Sequence, residues 1–410
     1  MIPNSWVTCH LGDFMDFKNG LNADKSQYGY GLKFVNVMDV FGNDIITEDK
    51  IIGRVNVAES QLEGNLLKFG DVLFNRTSET FDEIAMSAVY LDDKPAVFGG
   101  FVIRARPSDG ILAPAYSVYL FQSSKFRNQV IKLGQGAVRA NIGQKDLAKV
   151  KVSIPPFPEQ KKIAQILSTW DKAITTTEQL LANSQQQKKA LMQQLLTGKK
   201  RLLDDNGVRF SGEWKKLILG DIANIDSGYA FKSGDFTDCD NGIPVIRMSD
   251  FKTGGLDVSK AAKVAKEAVS ELDRFKLRTG DFVFGMSGSL SNYGWVKEQD
   301  LPCFLNQRVG RILAKKDADQ LFITYLYLSD KIQQSILDKA AGAAQLNISV
   351  GDLRNTIVYC PSLGEQQKIS AVLSAADQEI RALEQKTDAL QQEKKALMQQ
   401  LLTGKRRVKP

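Results

Sequence analysis

The sequence predicts an α+β protein. Two globular mixed α/β domains are each followed by a long helix, and the two helices form an intramolecular antiparallel coiled coil with pseudo-twofold symmetry from an internal duplication. Three observations carry this prediction. The string Lys188 to Lys199 recurs unchanged as Lys394 to Lys405. Each string closes an apolar pattern at heptad spacing. Ahead of each pattern lie short strand-like apolar runs, separated by Gly, Asn and Asp.

The duplication extends beyond the string. From Glu159 and Glu365 onward, roughly 25 of about 43 positions are identical, at an offset of 206. Upstream the match is fainter. Asn141-Ile142 with Asp146-Leu147 aligns with Asn347-Ile348 and Asp352-Leu353, and Pro155 aligns with Pro361. Gly70-Asp71-Val72-Leu73-Phe74 resembles Gly280-Asp281-Phe282-Val283-Phe284, and Gly12-Asp13 and Gly20 match Gly220-Asp221 and Gly228. The helical parts are nearly alike, whereas the globular parts share a skeleton and differ in most residues. Something common binds the helices, and something different is met by each domain.

In chain order, residues 1–154 form the first domain. Runs such as Lys33-Phe34-Val35-Asn36-Val37, Asp71–Phe74 and Phe101–Arg104 read as strands, and a helix is expected near Tyr116–Leu133. Residues 155–198 form the first long helix. Pro158 suits its first turn, and Gly198 with the basic residues after it suits its end. Its seam runs through Ile163, Leu167, Trp170, Ile174, Leu181, Leu191 and Leu195. Residues 199–212 read as a polar linker. Residues 213–360 form the second domain, with a strand near Arg308–Leu313 and a helix near Leu321–Lys339. Residues 361–410 form the second long helix and a basic tail. Ser362 and Glu365 offer a capping box, and the seam runs through Ile369, Leu373, Ile380, Leu383, Leu390, Leu397 and Leu401.

Two arrangements fit these seams: separate amphipathic helices on their own domains, or a helix pair. A narrow seam on so long a helix favours a partner helix. A symmetric antiparallel register puts Ile163 near Leu401, Leu167 near Leu397, Ile174 near Leu390 and Leu181 near Leu383. Trp170 then faces Lys394, whose methylene stem is expected to cover the ring.

Composition narrows the function. The chain has 410 residues, 43% of them hydrophobic and 25% charged. No apolar run reaches the roughly 20 residues that span a bilayer, and the N-terminus lacks the shape of a signal peptide, so a cytoplasmic protein is expected. Cys9, Cys239, Cys303 and Cys360 have no CxxC spacing and read as core residues or free thiols. With His10 as the single histidine, neither a zinc site nor histidine-based catalysis is expected, and His10 reads as a surface or edge residue. The net charge of +7 and pI of about 9.0 favour a polyanionic partner.

No catalytic or cofactor motif is complete. Ile154-Pro155-Pro156-Phe157 approaches the element with which adenine methyltransferases hold a flipped base. Its first residue is apolar and cannot accept the target amine. Its repeat, Cys360-Pro361-Ser362-Leu363, loses the second proline and the aromatic. Both read as helix-entry turns. No phosphate-binding glycine loop is present. The candidate DNA contacts are Asn75, Arg76, Thr77, Ser78, Arg104, Arg106 and Arg139 in the first domain, and Lys232, Arg247, Ser287, Ser289, Asn306, Gln307 and Arg308 in the second. Asn, Gln and Arg read base edges, and Ser, Thr and Lys hold phosphates. By sequence, Ser287-Gly288-Ser289 falls in the loop that matches Arg76.

The run Asn141-Ile142…Asp146-Leu147…Ile154-Pro155-Pro156-Phe157-Pro158-Glu159-Gln160-Lys161-Lys162-Ile163-Ala164…Leu167…Asp171…Ile174 resembles the specificity subunits of type I restriction-modification enzymes. It looks like the end of a target-recognition domain and the start of the helix after it. Asn347-Ile348…Pro361…Glu365-Gln366-Gln367-Lys368-Ile369…Leu373…Asp377…Ile380 repeats it, and the Leu-Leu-Thr-Gly-Lys helix ends and Asn306-Gln307 are similar to that family too. The first copy departs from the second, with Gly99-Gly100-Phe101 in place of Asn306-Gln307. The resemblance implies a non-catalytic subunit whose domains each read one half of a bipartite double-stranded DNA target. It implies that the helices set the unread gap and dock two methylation subunits. Those partners would bind S-adenosylmethionine, which this chain would not, and motor-nuclease restriction subunits would join for cleavage. The competing reading is a coiled-coil structural protein that binds nucleic acid without sequence choice, distinguished by a strong salt slope without a specificity ratio.

Overall fold

The fold is described from a computed structural model covering residues 3–136, 139–252, 255–288, 292–340 and 347–409. The chain forms two compact units, residues 1–179 with 385–410, and residues 180–384. Each unit therefore contains one globular domain, the first half of the helix that follows it, and the second half of the other long helix.

In the first unit, alternating apolar runs build a five-stranded sheet in the order Met15–Asn19, Val102–Pro107, Val72–Asn75, Ser87–Tyr90, Ile45–Ile46. Val72, Leu73 and Phe74 are fully buried, as expected for a central strand with both faces covered. A smaller sheet joins Arg54–Val55, Tyr28–Val35 and Ala96–Phe98. The second unit repeats the main sheet with four strands, Ala223–Ser227, Val309–Ala314, Phe282–Gly285 and Tyr293–Trp295. In each unit the opening strand pairs antiparallel with the strand that enters the long helix, Val7–His10 with Lys151–Ile154 and Lys215–Ile218 with Ile357–Cys360. His10 is an exposed residue of such an edge strand.

The helix expected near Tyr116–Leu133 is two helices, Pro114–Leu120 and Ser124–Leu133. Ser123 interrupts them, its hydroxyl accepting from Phe126 N at 3.4 Å as an N-cap. Likewise Gln320–Leu328 and Asp330–Ala340 replace the single helix near Leu321–Lys339.

The long helices run Phe157–Leu195 and Leu363–Leu401, 39 residues each. In the first unit, Ile163 and Leu167 share a core with Leu401 and Leu402, and Leu397 and Met398 pack against it. Farther along, Asp171 pairs with Lys394, and Glu178 accepts from the Gln391 amide. Numbers rise on one helix as they fall on the other, so the halves are antiparallel. The second unit repeats this with Ile369 and Leu373 against Leu195 and Leu196. All the seam residues named above are buried or half-buried.

Polar groups tie these halves to the domains. The Tyr119 hydroxyl donates to Asp171 at 2.6 Å, and the Tyr325 hydroxyl donates to Asp377 at 2.6 Å. Burial, reinforced by the carboxylate, pushes both phenol pKa values upward and keeps these donors protonated. Lys188 reaches Asp377 at 2.5 Å, as Lys394 reaches Asp171. Lys394 stands over the Tyr119 ring at 5.7 Å. This corrects the expectation that its stem covers Trp170. The carboxylate and the tyrosine face outbid the indole, which sits among Ile166, Ala396 and Leu397.

Residues 199–212 are not a loose linker. Arg201 forms a two-pronged ion pair with Glu365, at 2.5 and 2.7 Å. Glu365 is 1% exposed, and an unpaired carboxylate there would be costly. Leu202 packs on the core, and Asp204 N donates to Val208 O at 2.8 Å while Val208 N donates to the Asp204 carboxylate at 2.8 Å. The C-terminal tail plays the same part in the first unit, where Arg407 pairs with the buried Glu159 at 2.7 and 2.8 Å. No described helix is long and apolar enough to cross a membrane.

Candidate nucleic-acid interface

In each unit one end of the main sheet gathers loops that are far apart in sequence. In the first, Arg76 N donates to Phe101 O at 2.8 Å, and Arg76 O accepts from Ile142 N at 3.0 Å. Thr77 and Ser78 pair with Asn141 and Ala140, which brings Arg139 to the same place. Gly100 N reaches Leu21 O at 2.8 Å. Gly20 makes this closure possible, because a Cβ there would lie 2.2 Å from Gly99 O. Gly228 does the same in the second unit, where a Cβ would lie 2.1 Å from Leu305 O. That explains the matched glycines.

The second unit has the same backbone frame. Met286 N donates to Arg308 O at 3.0 Å, and Met286 O accepts from Ile348 N at 3.0 Å. Hence Met286 occupies the place of Arg76, at the head of the loop that holds Ser287, and Arg308 occupies the place of Phe101. Ser287 is shifted by one residue and bridges to Asn347, as Thr77 bridges to Asn141.

Several sequence candidates belong to the fold. Arg104 is 2% exposed and donates to Asp16 at 2.8 Å and to Gly64 O at 2.8 Å. Burial lowers its pKa, and Arg106 adds to this while Asp71 and Asp16 oppose it. Arg106 grips Asp71 with two bonds of 2.7 Å, which raise its own pKa. The buried Asn75 amide donates to Thr77 O and Glu83 O, and the buried Ser78 hydroxyl donates to Glu83 at 3.0 Å. Asn306 is buried and accepts from Arg308 N at 3.4 Å. These side chains are committed internally and leave the candidate interface. Thr77 is half-buried on the ribbon. Lys232 is exposed, with its backbone N–H on Asp235. Arg247 lies 6.0 Å from the Phe236 ring, and its Nε lacks a partner. Ser289 lies outside the described residues.

Of the sequence candidates, Arg76, Arg139, Lys232, Gln307 and Arg308 remain exposed, joined by Phe101, which is 64% exposed. Sequence reasoning missed Phe101 because it opens an apolar run that reads as a buried strand. The sole hint was its place after Gly99-Gly100. Exposed guanidinium and amide groups on a rigid sheet end can form paired hydrogen bonds to base edges. Among the described residues, no cluster of His, Cys, Asp or Glu is placed to hold a metal ion.

The helix surfaces contrast with these ends. Beside the paired helix halves of the second unit is a cavity of about 760 Å³, lined by Lys188, Lys189, Met192, Gln193, Leu196 and Thr197. The first unit has one of about 450 Å³ at the duplicate residues Lys394, Lys395, Met398, Gln399, Leu402 and Thr403.

Comparison with known proteins matches each copy of the repeat. The profile described as type I restriction modification DNA specificity domain matches residues 3–183 and again 211–392. The MjaVIII specificity subunit of Methanocaldococcus jannaschii is 24% identical over 430 aligned positions, covering 100% of this chain and 94% of its own. The EcoKI specificity subunit of Escherichia coli K12 is 24% identical over 387 positions, covering 90% and 81%. Among solved structures, the type I restriction-modification S subunit from M. genitalium superimposes with a TM-score of 0.58 at 16% identity, covering 98% of this chain and 97% of that one. The HsdS subunit from Thermoanaerobacter tengcongensis gives 0.52 at 18% identity, with 98% of each chain covered. With both copies of its repeat matched, the chain belongs to the family of type I restriction-modification DNA specificity subunits.

Proposed function

We propose that the domains formed by residues 1–154 and 213–360 each read one half of a bipartite, asymmetric double-stranded DNA target. The chain is the non-catalytic subunit of its system, and enzyme activity lies in its partner subunits. In this reading the paired long helices set the unread gap between the half-sites. Two methylation subunits dock on the helix ends and carry S-adenosylmethionine, and motor-nuclease subunits join them for cleavage. The complex acts in the cytoplasm, where its DNA lies.

The observation that carries this reading is the contrast within the duplication. Packing requires the buried Leu195 and Leu401 to be alike. It does not require Lys189, Gln193 and Gln194 to recur as Lys395, Gln399 and Gln400, since all six are exposed. Two copies of one partner meeting two equivalent surfaces do require it. The sheet ends, in contrast, carry different side chains on one backbone frame, as two unlike half-sites demand.

Inserting one helical turn into both long helices is expected to change the gap in the methylated motif, read from genome-wide adenine methylation. An unchanged gap would contradict the spacer role.

A further inference from the structure

We propose that Arg76 with Phe101 determines the first half-site and Arg308 with Gln307 the second. Each guanidinium takes a guanine, Phe101 meets a thymine methyl, and Gln307 takes an adenine. The proposal rests on the half-site reading above and names the side chains that do the reading.

The arginines sort themselves. The first domain has six. Arg54, Arg104, Arg106 and Arg127 spend their guanidiniums on internal acceptors. Arg76 and Arg139 make no such bond among the described residues, and both flank the short ribbon of Thr77–Ser78 and Ala140–Asn141. The second domain also has six. Arg311 and Arg354 donate to acceptors within the fold, and Arg274, though 72% exposed, is held to Asp226 at 3.1 Å. Arg247 is half-buried, and Arg278 lies just before the start of strand Phe282–Gly285, away from the loop end. Among the described residues, Arg308 is the exposed arginine at that end whose guanidinium holds no partner, next to the exposed Gln307.

The matched backbone bonds then expose an exchange. One frame carries arginine at position 76 and phenylalanine at 101. Its counterpart carries methionine at 286 and arginine at 308. Met286 is 6% exposed and joins the core, so it cannot read a base. The cation has moved from one loop to its hydrogen-bonded neighbour. One exposed phenylalanine is ordinary by itself. One held by a 2.8 Å backbone bond beside an unpaired guanidinium makes a mixed apolar and cationic pair. Guanine presents two acceptors to a guanidinium fork, thymine presents a methyl to an apolar group, and adenine pairs with a side-chain amide. A guanidinium moved by one loop places its guanine at a different step in each half-site.

The test uses the full chain expressed with the other subunits of its own system, with the methylated motif mapped across the genome. Arg76→Gln is expected to relax one guanine of one half-site, or convert it to adenine, by roughly 5- to 150-fold. The other half stays intact. Phe101→Ala relaxes a thymine in the same half, and Arg308→Gln acts only on the opposite half. Arg278→Gln leaves the motif unchanged. If Arg76→Gln weakens all sites equally with the motif intact, Arg76 is a phosphate contact and the proposal falls. It falls too if Arg76→Gln and Phe101→Ala act on different halves. Should a variant abolish methylation, selection of randomised duplexes by the purified complex at low salt replaces the genomic readout. There, lost enrichment of that guanine supports the proposal and retained enrichment overturns it. A wild-type motif without two halves would remove the half-site reading itself, a failure separate from that of these residues.

Discussion

The paired helix halves and the loop ends of the sheets obey opposite rules. Along the helices the two copies agree even where side chains face solvent, as at Lys189 and Lys395. At the loop ends they disagree on a shared backbone, as at Arg76 and Met286. On the proposed reading the helices are constrained from outside, by docked subunits, as well as from within, whereas the loop ends keep only their backbone in common. The molecule thus separates a constant surface from a variable one, and each unit contains both.

This comparison can be broken at the helices. Leu167 and Leu373 are equivalent and fully buried. Truncating either to alanine should cost about 2–5 kcal/mol. The drops in thermal unfolding temperature should be alike for Leu167→Ala and Leu373→Ala, because each joins a core of the same design. Clearly unequal drops would mean that the two halves are less alike than their sequences. A somewhat smaller effect is expected at the ion pair behind the second helix. Arg201→Ala leaves the Glu365 carboxylate buried without its partner and should cost about 3 kcal/mol. Adding Glu365→Met to Arg201→Ala should recover most of that loss in denaturant unfolding. No recovery would show that Arg201 acts through its packing on Trp214, not through charge.

Much of this architecture is legible in the sequence, for a physical reason. A heptad seam repeats over many turns, and Leu167, Leu195, Leu373 and Leu401 follow from spacing alone. The loop ends obey no such period. Arg104 and Arg106 look like Arg76 in sequence, since their carboxylate partners, Asp16 and Asp71, are 88 and 35 residues away. Only the folded sheet decides which guanidinium is occupied. The break at Ser123 falls in the short polar stretch Gln122–Lys125 between two apolar helical runs, where the cap rather than the periodicity divides the helix. The match of Gly70–Phe74 with Gly280–Phe284 already sets Arg76 opposite Met286 in sequence, but only the folded domain shows that Met286 is buried and that Arg308 lies beside it.

The central claim is that constant helices carry independent reading heads. Its most direct measurement replaces residues 1–154 with the corresponding domain of another specificity subunit and maps adenine methylation in the host. The account predicts a new sequence in one half of the motif, with the other half and the gap retained. A change in both halves would contradict it.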